Sequence, residues 1–207
     1  MNITILGTGN MGTAFAQQLQ AAGHRLNIVG RDPAKAHAAA ERFGASSDPA
    51  RAASSDIVIL ATGYDDAVAA LRAAGLPEGA VVVDITNPLT PDYAGLTIGH
   101  STSAAEQIAA ALPRLRVVKA FNTVLAQRLA AGARLPDGQV VPVFVATDDA
   151  QARQRVADLA RSMGFDVIDA GPLRNARYLE PLAGLNIHLG YAAGLGTLIA
   201  PTWLRQA

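Results

Sequence analysis

The chain of 207 residues contains no cysteine, which excludes disulfides, thiolate metal sites and thiol nucleophiles. Charge is scarce: 16% of residues are charged, against roughly 25% in an average soluble protein. The 17 basic side chains balance 17 acidic ones, so the net charge is zero. Without a chain-wide basic field, nucleic acid and anionic membrane are poor partners, and any anionic ligand needs a local site. Aromatics are few, at 5%. No run of ~18 apolar residues is free of charges or turn signals; the nearest candidate, 182–200, carries several glycines, Asn186 and His188 and reads as a buried helix. The amino terminus lacks the basic region and cleavage site of a signal peptide, so the cytoplasm is the default compartment.

Half of the residues are hydrophobic, enough apolar surface to offset chain entropy and exclude disorder. Short β-branched runs alternate with longer Ala/Leu-rich segments. Strands are expected at 2–6, 25–29, 57–61, 80–85, 116–120, 142–146 and 167–169, with a turn at Pro136-Asp137-Gly138. Helices are expected at 11–22, from the Asp32-Pro33 cap to 43, at 65–74, from the Ser103-x-x-Glu106 capping box to 112, and from Asp148-Asp149 to Gly164. The strands are continuous apolar runs buried on both faces. With the βαβ order, this predicts an α/β, Rossmann-type doubly wound, mainly parallel sheet. One domain is expected over 1–207: a core, 1–173, and a helical C-terminal tail, 174–207.

Gly7-Thr8-Gly9-Asn10-Met11-Gly12 is a G-x-G-x-x-G run between the first strand and first helix, the context in which it signals dinucleotide binding. Gly7 suits a tight turn, Gly9 close approach of backbone to pyrophosphate, and Gly12 close helix–strand packing. An NAD enzyme places an acid at the end of the second strand, about 20 residues on. Here Gly30 and Arg31 stand there, with Lys35 one helical turn further. A guanidinium suits a phosphate, so NADP(H) is expected over NAD(H), with Asp32 spent as the helix cap.

Ligands in such sheets lie beyond the carboxyl ends of the strands. The residues there are Thr62-Gly63-Tyr64, Thr86-Asn87-Pro88-Leu89 and Phe121-Asn122-Thr123-Val124, with no acid–base pair among them. His24, His37, His100 and His188 are scattered without metal-ligand spacing. His24 and His37 read as surface residues and His188 as a helix-packing one; only His100 lies in a loop on the ligand side. A site of this kind suits hydride transfer between two cofactors, where the protein supplies orientation and electrostatics.

The sequence resembles the F420-dependent NADP oxidoreductases, whose fold also forms the cytosolic reductase domain of six-transmembrane metalloreductases. The likeness runs through ILGTGNMG, GRDPAKA, SAAEQIAAAL, VVKAFNT, VPVFVATDD and DAGPLRNARYLEPLA. It implies that Thr8, Asn10 and Met11 belong to the phosphate loop and that Arg31 and Lys35 hold the 2′-phosphate. It also implies that Asn122 and Thr123 face the nicotinamide end; Asn87 and Pro88, by their place after the fourth strand, are further pocket candidates. The family often has Ser at position 30, and its archaeal members a His at position 122. Their deazaflavin lies against a Gly-rich C-terminal stretch. This chain has glycines at 190–196, but a different tail, Ala200-Pro201-Thr202-Trp203.

The implied activity is hydride transfer between NADP(H) and F420, or a flavin (FMN or FAD). A non-enzymatic NADP(H) sensor and a reductase of small carbonyls or imines are the alternatives. Tyr178, Leu182, Leu185, Leu189 and Ala192 recur at helical spacing; the stripe either packs on its own sheet or forms a homodimer interface. The low charge, and the family's use of C-terminal helices, favour the dimer.

Overall fold

The computed structural model describes residues 1–203; the expected domain, 1–207, runs four residues past them. In chain order the elements are β1 (Asn2–Leu6), α1 (Asn10–Ala21), β2 (Arg25–Val29), α2 (Pro33–Arg42), β3 (Ile57–Leu60), α3 (Ala67–Ala73) and β4 (Val81–Asp84). They continue with α4 (Ala104–Ala111), β5 (Arg116–Lys119), α5 (Ala126–Ala130), β6 (Pro142–Ala146), α6 (Ala150–Ser162), β7 (Asp166–Gly171) and α7 (Ala176–Ile187). The seven strands form one sheet in the order β2-β1-β3-β4-β5-β6-β7. All neighbours are parallel except β5 and β6, which meet antiparallel at the single pair Lys119–Ala146.

Each central strand feeds both faces. In β3, Ile57 and Ile59 join the core beneath α1, α2 and α6, whereas Val58 and Leu60 join the core beneath α3 and α4, as a period of two requires. The chain order reverses between β1 and β3, the switch point at which doubly wound sheets hold ligands.

The expected caps form. Asp32 Oδ1 accepts from the amides of Ala34 and Lys35, at 3.0 and 3.2 Å. Ser103 Oγ accepts from the Glu106 amide and donates to its carboxylate. Asp149 caps α6, and Gly138 completes the expected turn by donating to the Leu135 carbonyl. Two short elements had no counterpart in the sequence reading: α5, five residues long, and a 3-10 turn at Pro49–Ser54 opened by Asp48. Neither is long enough to display a helical period.

Among the described residues the C-terminal tail is helical only from Ala176 to Ala192. α7 widens into a π-turn at His188–Ala192, and the described residues beyond it form no helix. Gly194 and Gly196 take left-handed backbone, φ +82° and +79°, which ends a helix. The buried helix expected over 182–200 is therefore corrected: Leu185, Tyr191, Leu195 and Leu198 are all more than half exposed. α7 instead buries Ala176, Leu179, Glu180, Ala183 and Asn186. The stripe of Tyr178 and Leu185 looks outward, not onto the sheet. His188 is exposed rather than packed, and His24 is half-buried, bonded to Ser162 Oγ at 2.8 Å. Among the described residues no helix is long and apolar enough to cross a membrane.

Arg177 at the start of α7 holds the Glu106 carboxylate of α4 through two bonds, 2.9 and 2.6 Å. That guanidinium, aided by the Ser103 hydroxyl and opposed by partial burial, lowers the Glu106 pKa below the ordinary glutamate range. The pair therefore contributes its full stability above that range and loses it as pH falls through the lowered value. Glu106→Gln is expected to lower the Tm at neutral pH and flatten its decline on acidification. Parallel acid limbs for the two proteins, read by thermal denaturation, would contradict this docking role.

Candidate functional site

The loop from β1 to α1 lies at the switch point. A Cβ on Gly7, whose φ is +129°, would strike the carbonyl oxygen of Ala61 at the end of β3. A Cβ on Gly12 would strike the Gly7 carbonyl. The Gly7 amide donates to the Val29 carbonyl at 2.8 Å, tying the loop to β2. Packing inside the protein thus accounts for both outer glycines.

Gly9 is different. Its backbone (φ −76°, ψ −169°) is open to any residue, and an added Cβ would meet nothing within 4 Å. It is also the N-cap of α1, where no side chain bonds the free amides and the first turn holds no acid. Helices α2, α4 and α6 all receive side-chain caps. Glycine at position 9 keeps an uncapped helix N-terminus open, an arrangement suited to phosphate. Asn10 is exposed beside it, while Thr8 and Met11 are half-buried.

Thr62, Gly63 and Tyr64 follow β3, next to Gly7. Gly63, like Gly9, has open space where a Cβ would stand. The Tyr64 hydroxyl donates to Gln107 Oε1 at 2.5 Å. Its pKa is raised, first by burial and then by the negative charges of Glu180, Asp65 and Asp84. On the other side of the loop a Cβ at Gly30 would come within 3.1 Å of Thr8 Cγ2, so the Thr8 methyl fills the space a serine there would need. The cations expected to read a 2′-phosphate are both solvent-facing, and each already has a partner. Arg31 Nη1, on a side chain 90% exposed, lies 3.4 Å from Asp66 Oδ2; Lys35 Nζ, on one 75% exposed, lies 3.9 Å from Asp32 Oδ2. Exposed pairs of this kind are worth about 0–1 kcal/mol and exchange readily for a dianion.

At the other end of the crevice Phe121, fully buried between Phe15 and Phe165, adopts φ +60°. A left-handed aromatic costs about 1–3 kcal/mol and persists only where its surroundings enforce it. The turn brings Asn122 against Asn87: Asn122 Nδ2 donates to Asn87 Oδ1, and Asn87 Nδ2 to the Asn122 carbonyl, both at 3.0 Å. Asn122 Nδ2 also reaches the Leu179 carbonyl of α7, and Asn186 donates to the Thr123 carbonyl. Asn87 is half-buried, whereas Pro88, Asn122 and Thr123 are buried. Asn122 Oδ1 and Thr123 Oγ1 have no hydrogen-bond partner. His100 is exposed at φ +58°.

The sequence reading missed an ion cluster beneath this end. Lys119 Nζ lies 2.7 Å from Asp84 Oδ2 and 2.8 Å from Glu180 Oε1, and donates to the Thr86 carbonyl at 2.7 Å. All three side chains are at most 1% exposed. The Glu180 carboxylate in turn accepts from the Ala104 and Ala105 amides, capping α4. One signal was available. Lysine is rare here, occurring only at 35 and 119, and Lys119 ends the apolar run Val117-Val118.

The fold is a Rossmann-type α/β fold with its crevice at the switch point, and the comparisons give its family. Residues 2–88 match the family described as NADP oxidoreductase, coenzyme F420-dependent. The F420-dependent NADP reductase of Methanothermobacter marburgensis is 30% identical, over 91% of this chain and 92% of that protein. A solved structure from Arthrobacter sp. FB24, provisionally named an F420-dependent NADP-reductase, is 33% identical with a TM-score of 0.83, over 94% of this chain and 96% of that one. Metalloreductase STEAP3 of Rattus norvegicus is 30% identical over 87% of this chain, which spans 36% of its length. The chain belongs to the F420-dependent NADP oxidoreductase family, and so to the NADP-dependent oxidoreductases.

The contrast between glycines yields a test. Gly9→Ala is expected to keep the wild-type Tm and to weaken NADPH binding about tenfold or more, since the Cβ enters only the space over the helix terminus. Gly12→Ala is expected to unfold at markedly lower temperature. Calorimetric titration and thermal melts of both variants check this; wild-type NADPH affinity in Gly9→Ala would contradict it.

Proposed function

We propose that this chain is an NADPH-dependent oxidoreductase that passes hydride between NADP(H) and a deazaflavin of the F420 type. The observation that carries this reading is Gly9. Its glycine is required by nothing in the protein, yet it holds an uncapped helix N-terminus open at the switch point. The pyrophosphate would lie on the amides that follow Gly9, close to Thr8, Asn10 and Met11. Arg31 would leave Asp66, and Lys35 would leave Asp32, to hold the 2′-phosphate, with Gly30 leaving the approach clear. Thr62, Gly63 and Tyr64 would line the middle of the groove.

The bound nicotinamide supplies the hydride chemistry, and the residues supply binding and orientation. Asn87, the half-buried member of its cluster, would contact the reacting end. Asn122 and Thr123 would hold it from beneath through the bonds to α7, and Pro88, whose carbonyl accepts from Thr97, would stand beside them. Among the described residues the strand-end loops bring no acid–base pair to this end, which fits transfer between rings better than reduction of a carbonyl. Residues 1–207 are read as one folding unit working in the cytoplasm. The outward face of α7, with Tyr178 at 74% and Leu185 at 54% exposure, is read as the homodimer interface.

Loss of the nicotinamide absorbance is followed after adding F420, FMN, FAD, or a simple carbonyl or imine. Oxidation is expected with F420, and NADPH is expected to bind about tenfold or more tightly than NADH, the extra affinity coming from the charge-assisted phosphate contacts. Tight NADPH binding with no oxidation by any acceptor would favour a sensor. Preferential turnover of FMN, FAD or a carbonyl would replace the deazaflavin.

A further inference from the structure

The ion cluster under the crevice has an uneven charge. Asp84 Oδ1 accepts from the Thr86 amide at 2.8 Å, whereas Oδ2 lies 2.7 Å from Lys119 Nζ as an ion pair but makes no hydrogen bond. Glu180 Oε1 takes Lys119 and the Ala105 amide, and Oε2 takes the Ala104 amide. The cluster thus brings two acidic side chains to one basic one. One ammonium cannot neutralise two carboxylates, and one negative charge remains. The α4 N-terminus offsets it by roughly half a charge at most. Burial keeps water from screening the rest.

The cluster lies at the carboxyl ends of β4 and β5, two strands from the glycine loop. Through the Thr86 carbonyl it touches the residue preceding Asn87. Tyr64, after β3, already feels it: Glu180 and Asp84 raise the phenol pKa, and Lys119 opposes them less strongly. The cluster therefore sets more acidic than basic side chains beneath this end of the crevice.

We propose that Lys119, Asp84 and Glu180 form an electrostatic device that favours the oxidised over the reduced nicotinamide at this site. The inference rests on the placement of the nicotinamide given under the proposed function. Hydride departure moves two electrons and one proton from the nicotinamide C4 to the deazaflavin acceptor and leaves the ring with one positive charge. A fixed negative charge below that ring stabilises the product side and has little to act on before transfer. The device thus binds NADP+ more tightly than a neutral site of the same shape and biases the pair toward donation by NADPH. Glu180 and Asp84 act here as positioning and electrostatic residues, without touching substrate.

The test measures the Kd of NADP+ and of NADPH, separately, by calorimetry for wild type, Glu180→Gln and Asp84→Asn. Each variant removes one negative charge at nearly constant volume. The Kd of NADP+ is expected to rise about five- to tenfold, and that of NADPH to change by less than about twofold, for a charge acting over several ångströms at intermediate dielectric. The Tyr64 phenol, read by tyrosine absorbance against Tyr64→Phe, is expected to titrate at lower pH in both variants. Should Glu180→Gln lose the α4 cap and unfold, Asp84→Asn carries the test, since Asp84 caps no helix. Equal shifts in both Kd values, or no shift in a variant whose Tyr64 titration has moved, would overturn the proposal. Wild-type protein that binds neither form would instead overturn the nicotinamide placement, and this inference with it.

Discussion

The crowding of backbone at the switch point governs the rest of the molecule. The Ala61 carbonyl leaves no room for a side chain at Gly7, and the Gly7 carbonyl leaves none at Gly12. Together these approaches press α1 down onto β1 and β3 and fix the direction of its axis. Once the axis is fixed, the uncapped N-terminus of α1 stands at the switch point, with Thr62–Tyr64 and Gly30–Arg31 on either side of it. A looser loop would keep the sheet but lose the alignment on which the proposed phosphate site depends.

The far end of the crevice is held by polar ties instead of backbone crowding. Lys119 joins β4 to β5 and to α7, Glu180 carries the connection on to the start of α4, and Asn122 and Asn186 fasten α7 to the loop after β5. Buried ion pairs contribute little net stability when intact, but removing one partner costs about 3–5 kcal/mol. Such a cluster is better understood as fixing geometry and charge than as a source of stability. The left-handed Phe121 at this far end is held in place by Phe15 and Phe165, so the aromatic core and the polar ties act on the same turn.

Much of this was legible beforehand because it is local. The apolar runs of β1 to β6, the Asp32-Pro33 and Ser103-Glu106 caps and the glycine spacing each declare themselves within a few residues. What escaped depends on tertiary contacts. Asp66 as the partner of Arg31 lies on a different element, and the sequence reading treated Arg31 and Lys35 as unopposed cations. Asp84, Lys119 and Glu180 come from β4, β5 and α7, and no spacing links them. On α7 the apolar stripe was visible, but the buried face proved to be Leu179, Glu180, Ala183 and Asn186, because a polar residue that finds a buried partner can displace a leucine from the core. The tail beyond Ala192 was misread because its glycines sit among apolar residues that prolong a helical pattern.

The crystal structure of the chain with NADPH tests the central claim most directly. The expected result has the pyrophosphate on the amides that follow Gly9 and the 2′-phosphate within hydrogen-bond distance of Arg31, which has turned away from Asp66. A nucleotide bound elsewhere, or bound in the groove with Arg31 still on Asp66 and the 2′-phosphate free in solvent, would contradict it.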